Sequence, residues 1–389
     1  MKPRRKVLVI GMLDSIHVAR WLEQFQSEDI SFTLFPSRRF RKIHSRIVRL
    51  IKSNENATYN LAAGNLNMRI YPYLDFLFSE VISRWFERFS RSSRLAESFT
   101  SNNFDYVHAL ELQGSGYLLG ELPARVTEKS EVILTNWGSD IYFYKDFDEH
   151  KKALSRILTL ADRYSAECIR DYSLAREMGF HGLELPCIPN AGGFAKEYFT
   201  HPRESTSSRS QVIIKGYEGL FGRASLVIQL IPELSKIFPD VRFLIYSATP
   251  DAINLINQFS DTVKSKVRVF TAKNRIPHQR IMYEFFNSRI YVGSSISDGV
   301  STSFLEALIS GAYPIQTNSS CADEWVAKGC LGTLVGLDSK EIFDALKVAL
   351  RDDEFVDSAA KRNFQIAQAE LDYEVIRTQA LRFYERTAN

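Results

Sequence analysis

The chain has 389 residues, of which 45% are hydrophobic and 24% charged, and its formal net charge is +3. This length exceeds what one hydrophobic core usually fills, so two domains are predicted, and the composition excludes a disordered chain. We expect a reduced, cytoplasmic protein with no signal peptide and no spanning helix, because the four cysteines lack metal-site spacing and no apolar run approaches about 20 residues.

Strand and helix signals alternate along the chain, which predicts an α/β fold with parallel sheets. The predicted strands cover residues 6–11, 30–35, 106–110, 131–137 and 164–167, then 211–216, 241–246, 267–271, 288–294, 313–317 and 331–335. The polar segment 200–210 has no periodicity and separates the two series. We predict Rossmann-like, doubly wound domains over residues 1–199 and 200–370, facing each other across a ligand-binding cleft, and a closing C-terminal helix over 371–389.

Basic residues are concentrated at the front of the chain. Residues 1–104 carry 17 Lys+Arg against 9 Asp+Glu, and residues 36–52 carry seven basic side chains, no acid and apolar residues at near-helical spacing. A second basic and aromatic segment covers residues 84–94. These segments predict interfacial helices on an anionic membrane surface. A solvated basic face beside an acceptor site is the alternative, and no nucleic-acid-binding module surrounds them.

The second predicted domain opens with a possible phosphate-binding element. Its first strand ends at Lys215, a glycine-containing loop follows, and Arg223 opens the next helix. Arginine can contact a phosphate through two N–H groups, whereas lysine acts as a point charge. From the residues alone, an anion-binding pair and a solvated basic pair both remain open.

Residues 297–315 form a strand–turn–helix segment with free donors at the helix start. The amides of residues 300–303 are predicted to lie at a helix N-terminus, where backbone N–H groups lack intrahelical acceptors and favour an anion. Ser301 or Thr302 could instead be plain N-caps. Asp298 precedes the helix and Glu306 lies about two turns further on. Phosphate binding and simple capping both remain open at this point.

The same segment resembles the signature of glycosyltransferase family four, in which an acid and a Glu are separated by seven residues. The resemblance implies a retaining glycosyltransferase of the GT-B fold that needs no metal or other cofactor and uses a nucleotide-sugar donor, UDP- rather than GDP-linked. It implies that Asp298 is a catalytic residue that binds hydroxyls of the donor sugar, and that Glu306 binds the ribose. The residues implied to hold the diphosphate are Lys215, Arg223, Gly299, Val300, Ser301, Thr302 and Ser303.

Two segments of the first domain also resemble family members. Residues 10–21 resemble the first strand–loop–helix of capsule and lipopolysaccharide transferases. This implies that Asp14 or Ser15 caps the helix, that Ser15 lies at the cleft, and that His17 faces the cleft as a catalytic candidate. Residues 104–119 resemble the strand and loop that cover the donor sugar. The family's usual histidine position is occupied by Leu110, so His108 and Glu111 are the remaining catalytic candidates.

Two turns are similar to family segments that shape the cleft. Residues 136–142 include Asp140, which orients cleft residues or caps the next helix, and residues 188–193 include Asn190. By the resemblance, the acceptor is a saccharide or lipid-linked saccharide of envelope polysaccharide biosynthesis, met at the inner face of the plasma membrane. The alternatives are a nucleotide-sugar 2-epimerase and a non-catalytic scaffold or binding protein.

Two other patterns carry less weight. Asp146 and Asp148 form the DxD pattern by which another transferase fold holds a metal, but they lie in an acidic run before a helix, where the helix dipole favours acids. No metal site is therefore predicted. Gly11 lacks the spaced glycines of a dinucleotide fingerprint, which argues against a dehydrogenase.

Overall fold

The structure is a computed structural model that describes residues 4–38, 42–53, 55–62, 90–274 and 276–386. The chain divides into two compact units, the first holding residues 1–193 and 376–389, and the second holding residues 194–375. The sequence predicts a boundary between residues 199 and 200 and a separate closing helix over residues 371–389. In the structure, the final residues of the chain belong to the first unit.

The first unit is built on a seven-stranded sheet in the order β3-β2-β1-β4-β5-β6-β7, and its described pairings are parallel. Its central strands are apolar runs buried on both faces, as expected for a parallel sheet covered by helices. The strands are β1 (Arg5–Gly11), β2 (Ile30–Pro36), β3 (Thr58–Leu61), β4 (Tyr106–Leu110), β5 (Glu131–Thr135), β6 (Arg163–Ser165) and β7 (Leu183–Glu184).

Helices cover both faces of this sheet, and a separate apolar cluster fills each side. The helices are α1 (Ile16–Glu23), α2 (Ser45–Lys52), α3 (Arg91–Ser101), α4 (Tyr117–Gly120), α5 (Ala124–Thr127), α6 (Asp148–Leu160) and α7 (Ile169–Glu177). A five-residue π-helix, Leu112–Gly116, links β4 to α4. Phe383 and Tyr384 are buried in the cluster with Trp21 and Phe25. This aromatic packing explains why the C-terminal residues belong to the first unit.

The second unit has a six-stranded sheet in the order β10-β9-β8-β11-β12-β13, again parallel. Its strands are β8 (Gln211–Lys215), β9 (Arg242–Ala248), β10 (Val267–Thr271), β11 (Ser288–Gly293), β12 (Tyr313–Thr317) and β13 (Thr333–Val335). Its helices are α8 (Lys196–Thr200), α9 (Ser225–Ile228), α10 (Ile231–Ile237), α11 (Pro250–Asn257), α12 (Asp261–Lys264), α13 (His278–Phe286), α14 (Thr302–Ser310), α15 (Ala322–Ala327), α16 (Ser339–Arg351) and α17 (Asp353–Leu371).

The end of the chain differs from its predicted single helix over 371–389. The long helix α17 already ends at Leu371, and a shorter helix, α18 (Tyr373–Leu381), precedes a 3-10 turn at Arg382–Tyr384. The side chain of Asp372 accepts a hydrogen bond from the Glu374 amide at 2.9 Å. This local cap restarts the helix after the break. The short edge strands β3 and β7 were also absent from the sequence prediction.

The basic segment over residues 36–52 is only partly an exposed surface. Ile47 and Leu50 of α2 are buried in the core of the first unit, together with Ile43. Lys42, Arg49 and Lys52 are exposed. The apolar face of α2 therefore packs inward and cannot insert into a bilayer as predicted, which leaves a basic outer face. Arg39, residue 41 and residues 84–89 of the second basic segment lie outside the described residues.

Two further predictions concern membranes and metals. No helix in the described ranges is long and apolar enough to cross a bilayer. Within the DxD pattern, Asp146 pairs with Lys145 at 2.8 Å, and Asp148 lies in the first turn of α6. The Asp146 carboxylate is thus paired with a lysine. The Asp148 carboxylate lies at a helix start, where the helix dipole stabilises acids.

Candidate functional site

The sheet of the second unit reverses its strand order between β8 and β11. In a doubly wound sheet, the loops after such neighbouring strands separate and leave a crevice at their carboxyl ends. Lys215 is the last residue of β8, and Ser294 directly follows β11. The loop between Lys215 and Arg223 and the segment 297–315 therefore follow the two strands at this switch point.

The loop after β8 is bonded directly to the loop after β11. The Arg223 amide donates to the Ser294 carbonyl at 3.0 Å, and the Ile296 amide donates to the Phe221 carbonyl at 2.8 Å. The turn requires glycine, because a Cβ at Gly222 would lie 2.0 Å from the Tyr217 carbonyl oxygen. These contacts bring the two candidate segments together into one site.

The two predicted phosphate-binding cations are in different states. The Lys215 side chain is half-buried, and its ammonium makes no hydrogen bond or ion pair among the described residues. The Nη1 group of Arg223 donates to the carbonyls of Gly219 at 2.7 Å and Gly222 at 2.6 Å. Arg223 thus braces its own loop with one nitrogen and keeps its other N–H donors, whereas Lys215 can give its full charge to a ligand.

The N-terminus of α14 carries a set of backbone donors that have no acceptor among the described residues. The amides of Val300, Ser301, Thr302 and Ser303 donate no hydrogen bond within the described part of the chain. Ser301 is the N-cap residue, yet its hydroxyl does not cap the helix. The simple capping alternative therefore does not account for this segment. Four N–H groups and the positive end of the helix dipole suit an anion such as a diphosphate.

The two acids of the motif lie on either side of these amides in sequence. Asp298 is half-buried, and its Oδ1 accepts from the Gly299 amide at 3.0 Å. Glu306 is 4% exposed, and its Oε1 lies 2.7 Å from Nε2 of His278 on α13. His278 was missed from the sequence; the available signal was its position directly after Pro277, where a helix could start.

Beneath the motif, two buried tyrosines support α14. The hydroxyl of Tyr246 donates to Ser303 Oγ at 2.5 Å, and that of Tyr291 donates to Gln316 Oε1 at 3.2 Å. Burial raises the pKa of both hydroxyls, so both stay neutral. The Ser303 side chain is therefore used inside the unit, while its amide remains available.

In the first unit, the corresponding reversal lies between β1 and β4, and it gathers the predicted residues of the first domain. Ser15 follows β1 and is the N-cap of α1, with its Oγ accepting from the His17 amide at 3.1 Å. The half-buried His17 ring meets Trp137 edge-on at 5.6 Å. Ser15 thus has a capping role, and His17 lies at the carboxyl end of the sheet.

Glu111 directly follows β4 in a left-handed backbone conformation, with φ at +88°. Its carboxylate accepts from the Gly114 and Ser115 amides, both at 2.7 Å, and from Ser115 Oγ at 3.0 Å. Positive φ is costly for a non-glycine residue and is often found at functional sites. Here the carboxylate caps the π-helix through three hydrogen bonds. The predicted catalytic role of Glu111 would require the same carboxylate oxygens.

Asp140 connects the π-helix to the turn after β5. Its Oδ2 accepts from the Leu112 amide at 2.8 Å and from the Trp137 amide at 2.9 Å. Burial raises the pKa of Asp140 well above its usual range, and the nearby charge of Glu111 raises it further. Asp140 is therefore an orienting residue that holds two loops at the switch point.

His108 is not at the site, and its predicted catalytic role is corrected. It is fully buried in β4, with Nδ1 2.8 Å from the Tyr384 hydroxyl and Nε2 2.6 Å from Thr135 Oγ1. Burial lowers its pKa to about 3. Both ring nitrogens are occupied in a core where no substrate can reach them. Leu110, which occupies the family's usual histidine position, is also buried.

Asn190 ties together two loops of the first unit. Its Nδ2 donates to the Asn136 carbonyl at 2.7 Å, and its amide donates to Glu167 Oε1 at 2.9 Å. Asn136 in turn donates to the buried Asp171 at 2.8 Å. This network is a structural support for the turn over residues 136–142, and the predicted role of Asn190 at the cleft stays a prediction.

A cavity of about 610 Å³ lies elsewhere in the first unit. It is bordered by α7, β7 and the C-terminal residues, and none of the predicted site residues lines it. Backbone and side-chain donors at the strand ends are a stronger indication of a site than the volume of this open cavity.

Comparisons with known proteins support the resemblance found in the sequence. Residues 78–166 match the model of the family described as Glycosyl transferase 4-like. A 163-residue stretch, 41% of this chain, is 26% identical to a phosphatidylinositol N-acetylglucosaminyltransferase component of Arabidopsis thaliana. The matched stretch spans only 36% of that relative's length.

Solved structures cover almost the whole chain. The sucrose-phosphate synthase of Thermosynechococcus elongatus has a TM-score of 0.72 at 14% identity, with 98% of each chain covered. Anabaena HepE, in complex with UDP and glucose, has a TM-score of 0.65 at 13% identity, covering 97% of this chain and 99% of that one. Another HepE structure contains UDP-glucose. At such low identity the likeness establishes the fold.

The predicted resemblance to glycosyltransferase family four and the GT-B fold class are therefore confirmed. Each unit has the parallel, doubly wound sheet expected of that class. The cleft between two domains, the roles of the site residues and the absence of a metal stay predictions.

Proposed function

We propose that the protein is a retaining glycosyltransferase that transfers a hexose-type sugar from a UDP-sugar to a saccharide or lipid-linked acceptor. The observation that carries this proposal is the start of α14. Four amides at residues 300–303 have no acceptor in the described part of the chain, and they lie between Asp298 and Glu306 in sequence. The preceding loop bonds to the loop that carries Lys215 and Arg223. Fixed donors and cations match the diphosphate of a nucleotide-sugar.

The chemistry follows from the charge that develops on the leaving diphosphate. When the bond between the anomeric carbon and the phosphate oxygen breaks, the electron pair stays on the diphosphate. Preorganised donors that meet this charge lower the barrier, and such electrostatic stabilisation is commonly the largest catalytic contribution. The α14 amides, Lys215 and Arg223 would supply it without a cation, so we propose metal-independent turnover. Asp298 would hold sugar hydroxyls, and Glu306 the ribose.

The names of similar proteins support the donor class. HepE binds UDP and UDP-glucose in solved structures, and the Arabidopsis relative is named as part of an N-acetylglucosaminyltransferase. UDP is therefore favoured over GDP. The exposed basic face of α2 is compatible with a peripheral position at the inner face of a plasma membrane. Together with the resemblance of residues 10–21 to capsule and lipopolysaccharide transferases, it favours a lipid-linked acceptor of envelope polysaccharide biosynthesis.

The proposal is tested by ligand-induced stabilisation, because a ligand that binds only the folded state raises the melting temperature with occupancy. UDP and UDP-glucose should stabilise the protein more than GDP, and Glu306→Ala should lose most of the shift, because a hydrogen bond to a charged group contributes about 1.5–3 kcal/mol. Lys236→Ala, an exposed change on α10, is the matched control. No stabilisation of the parent by any nucleoside diphosphate would contradict the proposal.

Turnover distinguishes the remaining alternatives. With a UDP-sugar and an oligosaccharide acceptor, NMR should show a product that keeps the anomeric configuration of the donor, also in excess EDTA. Epimerisation of the donor without acceptor would indicate the epimerase alternative, and binding without any turnover the scaffold alternative. Loss of activity in EDTA, restored by Mn²⁺, would instead make Asp146 and Asp148 candidate metal ligands.

A further inference from the structure

A histidine–carboxylate pair lies next to the proposed phosphate site. His278 is the first residue of α13 and its side chain is 40% exposed, while Glu306 on α14 is almost completely buried. Nε2 of His278 lies 2.7 Å from Oε1 of Glu306. An exposed ring therefore contacts a buried carboxylate from the solvent side.

The chemistry of the two groups determines which of them donates the hydrogen bond. An ionised carboxylate only accepts hydrogen bonds, so Nε2 of His278 must carry the hydrogen, whether the ring is neutral or protonated. Among the described residues, His278 is the one side chain hydrogen-bonded to this carboxylate. The terminal torsion of a glutamate is otherwise broad. The imidazole thus fixes the plane of the carboxylate and leaves Oε2 for another partner.

We propose that His278 is a positioning residue for donor binding, which holds Oε1 of Glu306 so that Oε2 accepts from a ribose hydroxyl of the nucleotide. This inference rests on the proposed function, because it assumes that a nucleoside diphosphate occupies the α14 site. It assigns to α13 a part in ribose recognition that the motif over residues 297–315 does not contain.

Three tyrosines lie near the pair formed by His278 and Glu306. Tyr198 lies beside the imidazole, with ring centroids 6.0 Å apart and rings perpendicular. Tyr246 and Tyr291 lie near Glu306, and burial raises the pKa of both, so they remain neutral. On α13 itself, Arg280 is paired with Glu284 at 2.9 Å. Among these described groups, His278 is the one that donates to the Glu306 carboxylate.

The test uses two substitutions and two ligands in isothermal titration. His278→Ala should weaken UDP binding about tenfold, as expected for loss of a charge-assisted hydrogen bond that orients the Glu306 carboxylate. His278→Gln keeps an N–H donor and should stay within about threefold of the parent. With 2′,3′-dideoxyuridine diphosphate, which lacks the ribose hydroxyls, His278→Ala and the parent should bind equally. In a Glu306→Ala background, His278→Ala should have no further effect.

The controls separate failure of this inference from failure of the proposed function. His181→Ala, an exposed histidine change in the first unit, should leave both affinities unchanged. If His278→Ala weakens the two nucleotides equally, or adds its full effect to Glu306→Ala, then His278 does not act through Glu306 and the inference is wrong, although nucleotide binding stands. If the parent binds neither nucleotide, the proposed function itself is wrong.

Discussion

Two histidines of this chain occupy opposite environments, and their surroundings determine what they can do. His108 is enclosed in the core between Tyr384 and Thr135, and burial lowers its pKa to about 3. His278 is 40% exposed and faces a carboxylate. A neutral buried ring serves as a fixed link between hydroxyl groups, whereas an exposed ring beside an acid can orient that acid for a ligand.

Replacing His108 should change how stability depends on pH. As pH falls below about 6.5, the unfolded chain takes up a proton on this histidine and the folded chain does not, so folded stability is lost with falling pH. Between pH 7 and pH 5, this histidine should cost the parent about 2 kcal/mol in free energy of unfolding, and His108→Gln should not show this loss. At pH 7, His108→Gln should be less stable than the parent.

Urea unfolding at pH 5, 6 and 7 measures this difference. His181→Gln is the matched control, because His181 is exposed and should keep the parent's slope. An unchanged slope in His108→Gln would mean that His108 takes up a proton in the folded protein, contrary to its burial.

At the scale of elements, the site of the second unit is formed by two loops that are joined by hydrogen bonds. The loop after β8 donates to and accepts from the loop after β11 through Arg223, Ser294 and Ile296. Part of Arg223 is used in this bracing, which leaves Lys215 as the cation whose charge is not engaged among the described residues. Arg223 thus stabilises the loop, whereas the charge of Lys215 is left for a ligand.

Lys215→Ala should therefore weaken UDP binding by roughly tenfold or more, because a charge-assisted contact to the diphosphate is lost. Binding of uridine, which has no phosphate, should not change. Isothermal titration with both ligands measures this selectivity, and Lys236→Ala is the control for loss of a lysine charge elsewhere in the unit. Equal weakening of uridine and UDP would show that Lys215 supports the loop and does not contact phosphate.

The sequence predicted these elements better than the contacts between them. The strand that ends at Lys215 and the helix that begins after Ser301 were found because apolar runs and turn residues are local signals. The pair of His278 and Glu306 was missed because 28 residues separate them and only the packing of α13 on α14 brings them together. His108 was misplaced because strands buried on both faces show no alternation that marks an accessible side.

At the scale of the whole molecule, charge is distributed unevenly along the chain. Residues 1–104 carry an excess of basic side chains, whereas the remainder is mildly acidic. In the first unit, α2 buries Ile47 and Leu50 and exposes Arg49 and Lys52. Contact with an anionic membrane would therefore depend on electrostatic attraction at this face, since its apolar side chains are already used in the core.

Neutralising Lys42, Arg49 and Lys52 together should reduce flotation with phosphatidylserine vesicles steeply, because each basic residue near such a surface contributes about 1 kcal/mol. Added salt should reduce flotation of the parent in the same way, since it screens these charges. The matched control neutralises three exposed lysines of the second unit, Lys236, Lys340 and Lys361, and should float like the parent. Transfer to a soluble, short-chain acceptor should barely change, because the proposed donor site is in the second unit. If the Lys42/Arg49/Lys52 variant keeps full flotation but loses activity on the soluble acceptor, then the basic face binds the acceptor and the membrane prediction is wrong.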